Sequence, residues 1–222
     1  EAFLQEANQI DGIEIEGLYS HFATADEGDL SYANDQLNKF NDVLAIAEKL
    51  GINPTFIHCS NSGAILNLPE SRFNMVRVGM LLYGAFPSDE VPQDLPIKPV
   101  MTFTAPVVEI RDVKAGTPIS YGGVYTTEKD TRIAVVQAGF ADGVPRPWYV
   151  DGFVKFKDQN LKITGRICMD QLMIDVGSAD IQYGDEVLIF GSNEHGTIDV
   201  NEIANTINST SYVLVTAIGI RP

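Results

Sequence analysis

The residues best suited to chemistry in this sequence cluster in the stretch from His58 to Gly84. Asn61 and Ser62 form a polar turn before a short helical pattern, where they can satisfy free backbone N–H groups, and such helix starts also bind phosphate. Further on, Arg77 ends a run with the pattern of a buried strand, and Gly79 follows it. An arginine at the carboxyl end of a barrel-type strand lies where α/β barrels place their chemistry. The stretch predicts a site that holds a phosphorylated ligand and presents a permanent cation.

The elements that must position these residues alternate between strand and helix. The pattern predicts a strand over Ile13–Tyr19, an amphipathic helix from Leu30 to Leu50 that ends at Gly51, and a strand over Thr55–His58. A short helix and a third strand over Asn74–Arg77 complete a βαβαβ order, which implies parallel strands with helical crossovers. Three parallel strands would leave exposed edges and half a core. We therefore expect the second half of a larger α/β (TIM-type) barrel.

The pattern changes in a proline-rich stretch between Pro87 and Pro99. From Met101 onward it is almost all strand and turn, with one helix predicted around Val200–Ile207. The sequence therefore predicts an α/β portion over residues 1–95 and a C-terminal β domain over residues 96–222. In fold-class terms this is α/β plus all-β.

The composition excludes several classes of partner. With 30 acidic and 15 basic residues, the net charge is −15, which disfavours nucleic acid and anionic membranes. No apolar run approaches the ~18 residues of a membrane span, and nothing in the sequence predicts secretion. Cys59 and Cys168 are expected to be reduced thiols of a cytoplasmic protein, and the three histidines lack the spacing of a metal site. Because the sequence starts without Met, we expect an original N-terminus upstream of Glu1.

Six segments together carry a family resemblance. They are GLYSHFATADE (17–27), HCSNSGA (58–64), FNMVRVGMLLYG (73–84), ISYGGVY (119–125), VQAGFADGVPR (136–146) and GRICMDQ (165–171). In order and spacing they closely resemble alanine racemase, the pyridoxal phosphate enzyme that interconverts L- and D-alanine. The resemblance implies two-base α-proton transfer, D-alanine supply for peptidoglycan, alanine as the substrate, and a homodimer whose active sites are shared across the interface.

The resemblance also implies which residues hold the cofactor. Asn61 and Ser62 match the phosphate-binding turn, and the backbones of Gly79 and Met80 complete the cradle. Arg77 matches the arginine that faces the pyridine nitrogen of the cofactor. An arginine cannot accept a proton there, so it would limit the electron demand of the ring and suppress side reactions.

Further matches concern catalysis and substrate binding. His21 and His58 match histidines that network with the arginine and the catalytic tyrosine, so His21 is implied to serve both cofactor binding and catalysis. Tyr121 matches the base that removes the α-proton from the L-face across the dimer, while a lysine serves the D-face. Met169 matches the residue whose backbone contacts the substrate carboxylate, and Asp170 is expected to support that turn.

Each of these residues alone has an ordinary structural explanation. Asn61 and Ser62 could be a helix cap, Arg77 a buried ion-pair residue, Tyr121 a packed turn residue, and Met169 core packing. The histidines could be satisfied core groups. Only the combination indicates function, and His195 matches no motif and receives no role.

The sequence departs from the family in three places. The cofactor lysine, expected in a P-x-V-K-x-N-A-Y-G type segment, has no counterpart among the eight lysines. We therefore expect the C-terminal three-fifths of a racemase, inactive alone. Phe140 and Ile220 stand where relatives usually carry tyrosine, which predicts an altered substrate entrance. Open alternatives are a non-catalytic pyridoxal phosphate-binding or interaction module, a broader serine/alanine racemase, and a fold-related decarboxylase of basic amino acids.

Overall fold

The computed structural model describes residues 1–219, and the chain divides into two compact units, Glu1–Ile97 and Lys98–Pro222. The helices and strands of the first unit are α1 (Ala2–Asn8), β1 (Gly17–Tyr19), α2 (Ser31–Lys49), β2 (Phe56–His58) and α3 (Ser62–Asn67). Strands β1 and β2 pair in parallel, with Gly17 opposite Phe56 and Tyr19 opposite His58. The parallel pairing predicted for these two strands is therefore confirmed.

Helix α2 forms because its apolar residues recur on one face. Ala33, Leu37, Phe40 and Ala47 are all buried, at the spacing that brings side chains to one side of a helix. Most of this face packs against Leu18 of β1 and Ile57 of β2. The helix stops before Gly51, whose φ of +70° is a left-handed conformation that glycine adopts without a Cβ penalty. The predicted helix is confirmed to within a residue at each end.

The third predicted strand, Asn74–Arg77, is wrong: this segment is irregular. The Asn74 side-chain amide takes the place of a neighbouring strand, because its Oδ1 accepts from the Ile57 N–H at 2.8 Å and its Nδ2 donates to the Thr55 carbonyl at 2.8 Å. One backbone bond, from the Arg77 N–H to the Ser60 carbonyl at 3.0 Å, fixes the end of the segment. Arg77 therefore lies beside β2 in an irregular segment, which the Asn74 side chain and the Arg77 N–H hold in place.

The second unit is built on antiparallel strands. They are β3 (Phe103–Val113), β4 (Pro118–Ile119), β5 (Tyr125–Thr126), β6 (Thr131–Val136), β7 (Phe153–Phe156), β8 (Gln159–Lys162), β9 (Leu172–Asp175), β10 (Glu186–Asn193) and β11 (Gly196–Ile198). Seven of them form a sheet in the order β8-β7-β10-β3-β6-β9, with β11 paired to β10, and β4 and β5 form a separate hairpin. The β-rich character predicted for this region is confirmed.

The core of this unit is formed by apolar residues from several strands of the main sheet. Val107, Val136, Ile174 and Leu188 are fully buried and belong to one cluster with Trp148. Burial alternates along β7 and β9, which is the period-2 pattern of a sheet that packs one face inward. Strand β10 instead buries five consecutive residues and is therefore covered on both faces.

Two helices follow the strands, where one was predicted. Helix α4 (Val200–Thr206) matches the prediction and begins at Asp199, whose side chain accepts from the Asn201 N–H at 2.9 Å. Helix α5 (Ser211–Ala217) was not predicted, because its β-branched residues weaken the helical pattern. Among residues 1–219, no helix is long and apolar enough to cross a membrane.

Candidate active site

Arg77 is the centre of the polar cluster in the first unit. Its Nη1 donates to Nδ1 of His58 at 2.6 Å, and its Nη2 donates to the Ser20 carbonyl at 2.9 Å and to Nδ1 of His21 at 3.0 Å. Ser20 and His21 directly follow β1, and His58 ends β2. Because the carboxyl ends of parallel strands lie at the same edge of a sheet, one guanidinium reaches both strands. The structure therefore brings together the three residues that the sequence predicted to form a network.

The arginine fixes which ring nitrogen of each histidine accepts a hydrogen bond. A guanidinium can only donate hydrogen bonds, so Nδ1 of His21 and of His58 must be the acceptor and each neutral ring carries its proton on Nε2. Burial, and secondarily the positive charge of Arg77, lower the pKa of His58. No carboxylate among residues 1–219 forms an ion pair with Arg77. The cluster consequently presents a cation held only by neutral groups.

Tyr19 is a member of this cluster that sequence reasoning missed. Its ring stacks on the His58 ring, with centroids 5.4 Å apart and planes 9° from parallel, and the Arg77 guanidinium lies 5.9 Å from its centroid. Tyr19 and His58 are register partners across β1 and β2, so their side chains share one face of the pair. Aligning the two predicted strands at their carboxyl ends would have revealed the contact.

The polar turn before α3 forms a second cluster. The side chain of Asn61 accepts from the Ala64 N–H at 3.0 Å, which confirms it as the helix cap. The buried Ser62 Oγ accepts from the Gly79 N–H at 3.2 Å and, more weakly, from the Leu81 N–H at 3.5 Å. Because both neighbours are donors, the hydroxyl proton of Ser62 remains available to donate elsewhere. The turn and the Gly79 segment are thus joined through one buried hydroxyl.

Gly79 leaves open space beside this hydroxyl. A Cβ built on Gly79 would meet nothing within 4 Å, whereas the next residue, Met80, is buried and begins the 3₁₀ turn Met80–Tyr83. A ligand could approach the backbone here without displacing a side chain.

In the second unit, three of the motif segments converge around Met169. The Ala141 N–H donates to the Met169 carbonyl at 3.0 Å, and the Phe140 N–H donates to the Cys168 carbonyl at 3.0 Å. The Ser120 hydroxyl donates to the Arg166 carbonyl at 2.6 Å, which joins the ISYGG segment to the segment that contains Met169. The motifs that sequence analysis treated separately are therefore bonded neighbours.

Two predicted catalytic and substrate residues lie at the surface of this unit. Tyr121 is 68% exposed and Met169 is 54% exposed. Tyr121 begins the 3₁₀ turn Tyr121–Gly123, directly after Ser120. Neither residue is packed into the core of its own unit, which excludes the packing explanations for both.

The remaining site predictions concern cysteines and metals. Cys59 and Cys168 are both free. Cys59 is fully buried, and burial raises the pKa of its thiol to about 11 against the opposing effect of the Arg77 charge. Within residues 1–219, no group of three or more His, Cys, Asp or Glu side chains is placed to bind a metal ion.

Two models of known protein families match the chain. Residues 100–222 match the C-terminal domain of alanine racemase, and residues 1–87 match its N-terminal domain. The chain belongs to the alanine racemase family. The family resemblance read from the motifs is therefore confirmed.

Relatives with solved structures give the fold of the alanine racemase family. The alanine racemase of Streptomyces lavendulae, a D-cycloserine producer, superimposes with a TM-score of 0.93 at 39% identity over 99% of this chain and 59% of that one. The Clostridium difficile 630 enzyme, solved with cycloserine, gives 0.91 at 37% identity over 100% and 59%. The predicted fold class, part of an α/β barrel followed by a β domain, is confirmed.

A curated relative defines how much of the family's length is present. The alanine racemase of Desulforamulus reducens is 42% identical over 214 residues, which are 96% of this chain and 57% of that protein. The chain thus spans somewhat more than half the length of the alanine racemases it matches.

One of the two departures from the alanine racemase pattern can be placed. The Phe140 ring is 41% exposed and lies 5.8 Å from the Arg146 guanidinium, so an aromatic–cation contact takes the place of a tyrosine hydroxyl. The other departure, Ile220, lies outside the described residues.

Proposed function

We propose that this chain is the part of an alanine racemase that binds pyridoxal phosphate, at residues 1–95, and supplies the base for L-alanine, from the β domain at residues 96–222. The single observation that carries the proposal is the Arg77 cation, hydrogen-bonded to two histidine rings and a carbonyl, with no carboxylate of residues 1–219 in an ion pair with it. The relatives support it, since each is named an alanine racemase. For the same reason, the non-catalytic module and the broader serine/alanine racemase are not favoured.

The residues present fit the proposed cofactor. A phosphate needs hydrogen-bond donors and room, and the turn offers the free hydroxyl proton of Ser62, the helix start capped by Asn61, and the open space beside the backbone of Gly79, which precedes Met80. When bound, pyridoxal phosphate withdraws electrons from an attached amino acid and makes its α-proton acidic. Arg77 would lie on the side of the pyridine nitrogen, and a guanidinium cannot accept a proton there. It would therefore limit that electron withdrawal, which would favour simple proton transfer over competing reactions.

The histidines hold the arginine in this role. Both rings accept through Nδ1, and the Tyr19 ring stacked on His58 restricts rotation of that imidazole. His21 acts at the same place, because it anchors Nη2 of Arg77 beside the cofactor. A neutral His58 suits this role, because its protonation would put two cations in contact, and burial together with the Arg77 charge lowers its pKa.

Tyr121 is the proposed base for the L-face of the substrate. As a phenolate, its oxygen takes the α-proton: the Cα–H bond breaks and the O–H bond forms, and the reverse transfer completes the D-to-L direction. The opposite face needs a second base, which in the family is the cofactor lysine. The Met169 backbone would bind the substrate carboxylate, and Asp170 would support its turn.

The exposure of Tyr121 and Met169 supports a shared site. Both side chains are available at the surface of the β domain, as they must be if they act in the site of a second copy of the chain. We therefore propose a homodimer. Its product, D-alanine, would supply peptidoglycan synthesis in the cytoplasm, a setting that accords with two free cysteines.

The experiment is to express the protein from its complete gene and follow interconversion of L- and D-alanine with pyridoxal phosphate. We expect the reaction to reach the same equimolar mixture of L- and D-alanine from either enantiomer. Tyr121→Phe removes the basic oxygen and should reduce kcat by about a hundredfold or more. A wild-type protein that binds pyridoxal phosphate but racemises neither enantiomer would overturn the proposal.

A further inference from the structure

Ser120 has a backbone conformation that is unusual for any residue with a side chain. Its φ of 62° and ψ of −176° fall in a region that is populated almost only by glycine. Such strain persists where surrounding contacts enforce it, and it is concentrated at functional sites. Ser120 directly precedes Tyr121, the proposed base.

The contacts that enforce this conformation come from one neighbouring segment. The Ser120 hydroxyl donates to the Arg166 carbonyl at 2.6 Å. Gly165, with φ +80°, allows the approach, since a Cβ there would lie 2.7 Å from the Ile119 carbonyl oxygen and 2.8 Å from the Ser120 Cβ. On the far side, the Gly123 N–H donates to the Ser120 carbonyl at 3.1 Å and closes the turn.

The same segment leads to the proposed substrate residue. The Ser120 Oγ is 3.6 Å from the Cys168 Sγ, and Met169 follows. The hydroxyl of Ser120 therefore ties the turn that carries Tyr121 to the turn that carries Met169. On the basis of the proposed function, we propose that Ser120 is a positioning residue. Its hydroxyl holds a strained backbone that directs the Tyr121 oxygen toward the α-proton.

Two substitutions separate this role from simple packing. Ser120→Ala removes the hydroxyl but keeps the Cβ, so the backbone is free to relax toward an ordinary conformation and Tyr121 moves with it. Ser120→Gly also removes the hydroxyl, but glycine occupies the native conformation without strain. If Ser120 only filled space, alanine would be the better replacement. If it enforces the backbone, glycine is the better one.

The test uses the protein expressed from its complete gene and loaded with pyridoxal phosphate. We expect Ser120→Ala to lower kcat/KM about ten- to a hundredfold in both directions, the order that misplacement of a reacting group produces. Ser120→Gly should retain several times more activity than Ser120→Ala. Ser192→Ala is the matched control, because the Ser192 hydroxyl also makes a hydrogen bond in this unit, 2.9 Å from the Thr197 hydroxyl. It should leave kcat/KM unchanged.

Isotope effects identify the affected step even where a variant is less stable. Misalignment of Tyr121 slows proton removal from L-alanine, so the primary effect with α-deuterated L-alanine should rise in Ser120→Ala. In the D-to-L direction, Tyr121 returns the proton after the C–H bond of D-alanine has been broken. Its misalignment makes that later step the slow one, so the isotope effect with α-deuterated D-alanine should fall toward one. A merely structural loss would lower the active fraction and move neither value.

The outcomes are distinguishable. A racemising wild type in which Ser120→Ala matches or exceeds Ser120→Gly, or in which both isotope effects stay unchanged, overturns the inference alone. A wild type that does not racemise alanine overturns the proposed function and this inference with it.

Discussion

Replacing Arg77 tests whether this residue stabilises its contacts with His21, His58 and the Ser20 carbonyl through its charge or through the geometry of its hydrogen bonds. Arg77→Met keeps the length of the side chain and removes charge and donors. Arg77→Lys keeps the charge, but a single ammonium cannot reproduce the planar fork that contacts both strands. The cofactor-free protein suits both measurements, because bound ligand would add its own stabilisation.

The structure sets the size of the stability effect. Of the three short bonds, those to the Ser20 carbonyl and to His58 Nδ1 involve half-buried acceptors, while His21 is exposed and can bond to water instead. Two charge-assisted bonds at the low end of about 1.5 kcal/mol each give a loss of about 3 kcal/mol for Arg77→Met, and about half of that for Arg77→Lys. Urea unfolding measures both differences. The control is Arg111→Met, since the Arg111 ion pair with Glu109 at 3.7 Å is exposed and should contribute under about 0.5 kcal/mol.

The electrostatic part is measured on His58 itself. Because the Arg77 charge is the second cause that lowers the pKa of His58, after burial, this pKa should rise in Arg77→Met and stay lowered in Arg77→Lys. NMR titration of the His58 ring reports it. A lowered histidine pKa means that the unfolded chain binds more protons, so this contribution to stability is complete above about pH 6.5 and is lost as pH falls through the folded value. If Arg77→Met unfolds within about 0.5 kcal/mol of wild type and leaves the His58 titration unmoved, the cluster is not organised by this arginine.

Three other changes have expected outcomes. Ser62→Ala leaves the Gly79 N–H without its partner and removes the free hydroxyl, so the Kd for pyridoxal phosphate in an absorbance titration should rise about tenfold, with Ser192→Ala unchanged. Cys59, fully buried with a thiol pKa of about 11, should resist iodoacetamide at pH 7.5 until the protein is unfolded; its contribution to stability should be complete below pH 9 and lost as pH rises toward 11. Labelling of native Cys59, found by mass spectrometry, would contradict this. Asp199→Ala removes the cap of α4 and should cost about 1 kcal/mol in urea unfolding, whereas Asp199→Asn should cost much less.

The sequence predicted those parts of the fold that depend on local periodicity. Helix α2 shows its buried face at every third or fourth residue, so it was found to within a residue at each end. The segment Asn74–Arg77 also contains apolar residues, but the Asn74 side chain, and not the backbone of a third strand, makes the hydrogen bonds beside β2. Periodicity records which residues are apolar, and it does not record whether a backbone finds a second backbone to pair with.

The candidate site was predictable in its members and less so in its contacts. Arg77, His21 and His58 were grouped through family motifs, and the structure places both histidines within hydrogen-bond distance of Arg77. Tyr19 was missed because its role depends on strand register, which links positions far apart in sequence. Ser120 was missed because a backbone angle has no signature in residue type when the residue is not glycine.

Arg77 and the turn that carries Tyr121 are each held in part by main-chain atoms. Arg77 donates to the Ser20 carbonyl, the Ser120 hydroxyl donates to the Arg166 carbonyl, and the Met169 carbonyl accepts from a backbone N–H. A carbonyl or an amide N–H is supplied by almost any residue, so such contacts survive substitution of the residue that provides them. Relatives that share only 37–39% of their residues with this chain superimpose with TM-scores of 0.91–0.93. The geometry can thus be retained while most side chains change, provided that the few side chains at the other end of each bond remain. Substitutions at Arg77 and Ser120 should accordingly be far more damaging than substitutions at Ser20 or Arg166, whose side chains these bonds do not use.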